Sequence, residues 1–407
     1  MKRNHLLSLV LSAALCAGML AGCNSGMPSS STGSSGAAGG SQAASGDTIK
    51  VGILAPLTGD AAQYGIAASN AAKLYFDQLN AAGGVNGKSI EYILLDEKGQ
   101  AADAVVAYNN LLEQGVTAIV GDVTTAPTIA VAVESASANI PMITGSATAA
   151  AVTVDPDTNA VRSNVFRSCF IDPFQGEKMA SFSKEKLGAK TAAILFNSNI
   201  DYSIGLKDAF IAKAGEIGLE IVATESYADT DVDFKGQLTN INAKAPDVLF
   251  CPDYYQKVAL IAPQAKEVGL TATFVGGDGW DGAIEAINDT AMIEGAYYCS
   301  GFSADDTSEA VQKFLSDYKA AYNSDPNMFA ATTYDAAAIL ADAIKSAEDA
   351  GLTAGSDDYK AAVISAVSKT DKDYVTGHFT FDANNDPVKD AVIIKITDGK
   401  YTFDCKF

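Results

Sequence analysis

Residues able to do acid–base or nucleophilic chemistry are scarce in this chain. Its histidines are His5, in the leader, and His378, in a strand-like run beside Gly377, so a Ser-His-Asp or Cys-His site would depend on His378 alone. The sequence carries no G-x-S-x-G elbow, no P-loop and no H-E-x-x-H, and a structural role for His378 outweighs a catalytic one. Asp229, Asp231 and Asp233 imitate half of a calcium loop. The sixth position is Phe234 rather than Gly and the twelfth is Asn240 rather than Glu, which removes both the turn and the bidentate ligand. They read instead as a helix start with Asp233 as N-cap. Cys169, Cys251, Cys299 and Cys405 show no C-x-x-C spacing, so a metal or redox motif has no support, while disulfides and buried thiols both stay open. An enzyme is disfavoured, and no cofactor or metal is expected.

Groups suited to binding are better represented. Gly276-Gly277-Asp278-Gly279-Trp280-Asp281-Gly282 directly follows a strand at Thr273 to Val275; its glycines allow a sharp turn and close approach, and Asp278 offers a carboxylate to a cation. Thr124-Thr125-Ala126-Pro127-Thr128 and Ser146-Ala147-Thr148 also follow strands. Hydroxyls and unpaired amides at such places suit a carboxylate, because a helix amino terminus carries a positive partial charge. Alone, the glycine loop reads equally as a tight loop with solvated acids, and each hydroxyl segment reads more often as a plain N-cap. A hydroxyl set for an anion and an acid for a cation together suit a zwitterion.

The elements that must position these groups alternate. Ile49 to Ala55 is a buried parallel strand, Pro56 to Gly65 a loop at its carboxyl end, Ile66 to Ala82 a helix stopped by Gly83-Gly84, and Ser89 to Leu95 a second strand. Tyr64 lies outside the carboxyl end of that first strand, where such sheets bind ligands. Strands follow at Ala118 to Gly121, Pro141 to Thr144 and Val165 to Arg167, with helices between. The rhythm restarts at a helix over Gln175 to Leu187 and runs through strands Thr191 to Asn197, Glu220 to Tyr227, Val248 to Cys251, Thr273 to Gly276 and Ala296 to Cys299. This is an α/β chain with two Rossmann-like lobes built on parallel central sheets. Helices at Ser308 to Tyr322, Tyr334 to Ala350 and Tyr359 to Val367 precede hairpin-like strands at His378 to Phe381, Val392 to Thr397 and Tyr401 to Cys405; Asp398-Gly399 is a hairpin turn signal.

With 407 residues, 48% of them hydrophobic, the chain can bury two substantial cores. Its first residues belong to neither. Lys2 and Arg3 precede an apolar run from Leu6 to Ala21 that is short for a membrane span, and Leu20-Ala21-Gly22-Cys23 resembles a bacterial lipobox. That resemblance implies a signal peptide over 1–22, cleavage before Cys23 and a diacylglycerol on its sulfur. Residues 23–47 are mostly Ser, Gly and Ala, the composition of a flexible tether. Removing residues 1–22 takes away Lys2 and Arg3, leaving 26 basic against 49 acidic residues, so the formal charge moves from −21 to −23. Such a surface repels nucleic acid phosphates and anionic lipid headgroups, so membrane attachment must come from acyl chains.

From Ile49 to the carboxyl terminus the chain resembles the leucine/isoleucine/valine-binding, type I periplasmic-binding-protein family, the extracellular substrate-binding components of ABC importers. The resemblance is carried, in order, by KVGILAPLTGDAAQYG, LNAAGGVNGKSIEYILLDEKG, VGDVTT, PMITGSAT, FVGGDGWDG, TTYDA and FDANNDPVKD. It implies a three-segment hinge, placed near Val165 to Ser168, Tyr298 to Phe302 and Thr376 to Phe381. Lobe one would comprise 48–167 and 303–375, and lobe two 168–301 and 376–407. It also implies that Thr125, Ser146 and Thr148 hold the ligand's carboxylate, that Asp278 holds its α-ammonium, and that Tyr64, Tyr202 and Tyr254 wall the site; Trp280 and Phe329 are further lining candidates. A branched-chain binder of the family has Ser where Thr125 stands, Ala at Ser146 and Glu at Asp278; Asp is shorter by a methylene, so the resemblance implies a pocket of different depth with the grip on an α-amino acid kept. The implied function is capture of a neutral amino acid by a monomer, tethered outside the cell membrane by lipid, and its delivery to an ABC permease. The alternatives are another small metabolite (an amide, a urea-like compound or an aromatic acid) on the same fold, or a ligand-sensing receptor.

Overall fold

The computed structural model describes residues 48–407; the leader, the tether and Cys23 lie outside the described residues. The first sheet contains β1 (Ile49–Ala55), β2 (Ile90–Asp96), β3 (Ala118–Val120), β4 (Met142–Thr144) and β5 (Val165–Arg167). Its order is β2-β1-β3-β4-β5, and every pairing is parallel. Apart from Lys50, β1 is buried along its whole length, which is why it reads as an unbroken apolar run rather than an alternating one. The helices between these strands are α1 (Ala62–Ala81), α2 (Ala101–Glu113) and α3 (Thr125–Ala138).

A second sheet repeats the plan. Its strands are β6 (Thr191–Asn197), β7 (Glu220–Tyr227), β8 (Val248–Phe250), β9 (Thr273–Gly276) and β10 (Tyr297–Ser300), and its helices α4 (Asp172–Glu185), α5 (Asp201–Ile217), α6 (Lys235–Asn242), α7 (Tyr255–Glu267) and the single turn α8 (Ala283–Ala286). The order β7-β6-β8-β9-β10 is that of the first sheet, and these pairings are again parallel. The chain then returns through α9 (Glu309–Tyr322), α10 (Met328–Asp349) and α11 (Asp357–Val367). Ala336, Leu340 and Ile344 of α10, with Tyr359 and Val363 of α11, are buried in one cluster with Val51, Ile53 and Phe76, so this helical segment completes the first lobe.

The carboxyl-terminal strands divide differently from the sequence expectation. A short antiparallel pair, β11 (Asp371–Tyr374) and β12 (Gly377–Thr380), forms its own ribbon, and Phe379 is buried in the first lobe's core. The third passage between lobes therefore lies between β12 and β13 (Val392–Thr397), later than Thr376 to Phe381. The physical reason is the single large apolar side chain of β12 that finds cover, Phe379, which the first lobe shields. β13 joins β10 antiparallel, and β14 (Lys400–Lys406) joins β13 through a turn in which Asp398 and Gly399 have φ of 52° and 66°, as a tight hairpin requires. Two passages are pinned to each other by a buried ion pair: Arg167 Nε lies 2.6 Å from Asp386 Oδ1.

Asp233 stands one residue earlier than an N-cap. Helix α6 is entered through Phe234, and Asp233 Oδ1 accepts from the Lys235 amide at 3.1 Å. Asp229 Oδ1 accepts from Asn197 and Asp231 Oδ2 from the Ala228 amide, so these acids serve the local turn. Among the described residues, no three metal-ligating side chains cluster, and no helix is long and apolar enough to cross a membrane. The four described cysteines are unbonded; Cys169, Cys251 and Cys299 are buried.

Candidate functional site

Segments that follow the carboxyl ends of β1, β3 and β4 in the first sheet and of β6, β8 and β9 in the second line a single chamber. Tyr64 comes from the first turn of α1, because the helix begins at Ala62 and not at Ile66: Ala61-Ala62-Gln63 are good helix formers, and no side-chain cap is needed to start it. Gly65 is required just beyond, since a Cβ there would lie 1.9 Å from the Pro56 carbonyl oxygen. Thr125 is the first residue of α3 after β3, and Ser146 and Thr148 follow β4. From the other lobe, Tyr202 lies in the first turn of α5 after β6, Tyr254 precedes α7 after β8, and Asp278 follows β9. These residues line the chamber together with Phe329 of α10, Val123, Thr124 and Gly279.

Trp280 does not line it. Its indole is fully buried, its Nε1 donates to the Cys251 carbonyl at 2.8 Å, and its ring packs on Phe274 at 5.9 Å, so it anchors the Asp278 loop from below. Gly276 makes room for that ring: a Cβ there would meet Trp280 Nε1 at 2.1 Å.

The first lobe's contribution is polar and arranged by the backbone. Thr144 Oγ1 donates to the Asp122 carbonyl at 2.6 Å and accepts from the Ser146 and Ala147 amides, which fixes the turn carrying Ser146. Ser146 Oγ donates to the Val123 carbonyl at 2.7 Å, so its lone pairs point away as acceptors. Tyr254 of the opposite lobe lines the chamber with Thr125, at the amino terminus of α3. Beneath this loop Asp122 and Glu97 are both buried; burial raises both carboxyls, and the charge of Asp122 raises Glu97 further.

The second lobe contributes one acid. Asp278 is 2% exposed; its Oδ1 accepts from the Tyr202 hydroxyl at 2.8 Å, its amide donates to Gln175 Oε1 at 2.9 Å, and its Oδ2 has no partner. Burial pushes its carboxyl up to about 6, against the pull of these hydrogen bonds. Gln175 and Asp172, both in α4, stand behind it: Asp172 is fully enclosed and raised by burial, and Gln175 Nε2 is unpaired. Neither was legible as a site residue, because only the packing of α4 against β9 brings them behind Asp278.

Aromatic rings form the walls and the latch. Tyr202 stacks on Tyr254 at 4.8 Å, and Tyr64 lies against Phe329 at 4.2 Å. The Tyr64 hydroxyl, from the first lobe, donates to the Gly279 carbonyl at 2.5 Å and accepts from the Tyr255 amide at 3.1 Å, both in the second lobe. Tyr255 reciprocates by donating to the Asp60 carbonyl at 2.9 Å. The lobes are thus closed on each other, and the chamber's volume is about 10 Å³, roughly the room one water needs.

A family model described as periplasmic binding protein matches residues 48–400. The chain belongs to the periplasmic binding protein family. Among similar members, the Leu/Ile/Val-binding protein BraC3 of Rhizobium johnstonii is 31% identical over 306 residues, covering 74% of this chain and 81% of the relative. A leucine-, isoleucine-, valine-, threonine- and alanine-binding protein of Pseudomonas aeruginosa is 30% identical over 314 residues, covering 76% and 81%. Among solved structures, the branched-chain amino acid transporter substrate-binding protein LivJ of Streptococcus pneumoniae, in complex with isoleucine, superposes with a TM-score of 0.80 at 32% identity, covering 89% of this chain and all of that one. As a periplasmic binding protein the chain works outside the cytoplasm and is a solute binder rather than an enzyme.

Proposed function

We propose that this periplasmic binding protein captures a neutral amino acid, leucine, isoleucine or valine, between its lobes and delivers it to the permease of an ABC importer. One observation carries the reading: a buried carboxylate oxygen without a partner, Asp278 Oδ2, shares a chamber with the helix amino terminus and hydroxyls of Thr125, Ser146 and Thr148. An α-ammonium supplies the missing partner for the acid and can donate to the lone pairs of Ser146 Oγ, whose proton goes to Val123, while an α-carboxylate takes the hydroxyl donors of Thr125 and Thr148 and the positive end of α3. The remaining surface is ring and aliphatic edge from Tyr64, Tyr202, Tyr254 and Phe329, which suits an uncharged side chain. Because so little space is left in the closed chamber, the lobes part about the three passages to admit the ligand and close around it.

The tether and leader fit delivery. Lipid on Cys23 would hold the binding protein at the outer face of the membrane near its permease, with the Ser/Gly/Ala segment giving reach. Calorimetric titration of wild type and Asp278→Ala with leucine, isoleucine and valine tests the function. Binding by the wild type and its loss in the variant are expected. Unchanged affinity in the variant removes the site assignment, and tight binding of a ligand without an α-ammonium would replace the amino acid by another metabolite.

A further inference from the structure

A second and much larger cavity lies between the same two lobes. Its volume is about 750 Å³, within the range of about 300–1,000 Å³ typical of small-molecule sites. It lies along α1 beyond Tyr64 and is bounded by the second passage between the lobes at Phe302 to Asp305. Ala67, Phe302, Met328 and Ile394 give it an apolar wall drawn from both lobes.

Two buried polar side chains open onto it. Asp281 is 5% exposed, and its Oδ2 accepts from the Met328 amide at 2.7 Å, a bond that runs from the second lobe to the start of α10 in the first. Tyr298 is 2% exposed and lines the cavity, and its hydroxyl makes no hydrogen bond within the described residues. The rim carries Glu285, Asp305 and Asp325, against which Lys400 is the one basic lining residue.

We propose that this cavity is a second ligand site, taking a small organic amine whose ammonium pairs with Asp281 and Tyr298 and whose apolar body fills the wall. The charge balance excludes a carboxylate or phosphate, and the apolar lining excludes a hydrated inorganic cation. Burial pushes the Asp281 carboxyl up to about 7, and an adjacent ammonium would favour its charged form. Since the wall and the Asp281–Met328 bond both require the lobes to be together, an amine bound here stabilises the closed form.

Calorimetry with 2-phenylethylamine on the full chain carrying Asp278→Ala separates this site from the amino-acid chamber. In that background the amine binds, and 2-phenylethanol, which lacks the charge, binds about ten-fold more weakly. Asp281→Asn, which keeps an acceptor for the Met328 amide, and Tyr298→Phe, which keeps the ring, each weaken the amine by about ten-fold. Circular dichroism establishes that each variant is folded. Absence of amine binding, or binding indifferent to both substitutions, overturns the proposal. Leucine titration of the wild type fails or succeeds independently, so the two readings are distinguishable.

Discussion

Asp278→Asn separates the acid's charge from its shape. The substitution keeps an acceptor 2.8 Å from the Tyr202 hydroxyl and the backbone bond to Gln175 at 2.9 Å, and removes one negative charge from a site 2% exposed. With an amino acid bound, the ammonium loses its counter-charge inside a closed chamber. Breaking one partner of a buried charge pair costs about 2–5 kcal/mol, which is about 30-fold to several-thousand-fold in Kd. Without ligand the sign reverses. The wild type confines a carboxylate with an unpartnered oxygen, and burial lifts it from 3.8 to about 6. At about 1.4 kcal/mol per unit, ionising it at neutral pH costs the empty protein on the order of 2 to 3 kcal/mol. The amide is also polar and buried, so the variant recovers part of that. Calorimetry with leucine should show the lost affinity, and thermal unfolding of the ligand-free proteins should show the variant melting at higher temperature. Unchanged leucine affinity would refute the ammonium site, and a lower ligand-free melting temperature would refute the unpaired carboxylate.

Leucine affinity should also depend on pH. A carboxyl raised to about 6 is protonated below that point and must lose its proton to meet an ammonium, so affinity holds above neutrality and falls as pH drops through 6. The same group stabilises the empty fold at low pH and loses that contribution as pH rises through 6, so ligand-free stability runs the opposite way; a flat leucine titration across this window counts against Asp278. Tyr64→Phe keeps the ring on Phe329 and removes both bonds across the chamber, to Gly279 and Tyr255. At about 1 kcal/mol per bond it should weaken leucine about ten-fold or more and make the liganded protein more open in small-angle scattering; unaltered affinity and radius of gyration would show that the latch carries nothing. Gly65→Ala forces a methyl to 1.9 Å from the Pro56 carbonyl oxygen, and should lower the unfolding free energy measured by urea titration by about 1–3 kcal/mol or more, with a wild-type value as the contrary result.

Much of the fold can be read from the sequence, because the central strands are buried on both faces and show themselves as short apolar runs between helices. The chemistry of the site is legible for a related reason: in such sheets the strand ends are the only places where Thr125, Ser146, Thr148 and Asp278 could converge. What stays hidden depends on tertiary contact. Phe379 in a polar ribbon gives no local sign of which lobe will cover it, so the third passage is misplaced. Tyr64 reads as loop because Thr58-Gly59-Asp60 precedes it, although three helix formers intervene. Trp280 invites a binding role by adjoining Asp278, and only the Cys251 carbonyl explains where its N–H goes. Gln175 and Asp172 escape notice because α4 brings them behind Asp278 from a hundred residues away in sequence.

The repeated strand order bears on how binding is coupled to closure. Each lobe alone offers half a site: the first has hydroxyl donors and a helix amino terminus, the second an acid with an unpartnered oxygen. Neither half compensates a zwitterion, so an amino acid resting on one open lobe leaves one of its charges to water. Closure supplies the opposite charge and at the same time expels that water, which strengthens both contacts. Closing without a zwitterion would leave Asp278 Oδ2 desolvated and unpaired, a cost set only against the bonds of the Tyr64 latch, so it is the ligand that makes closure favourable.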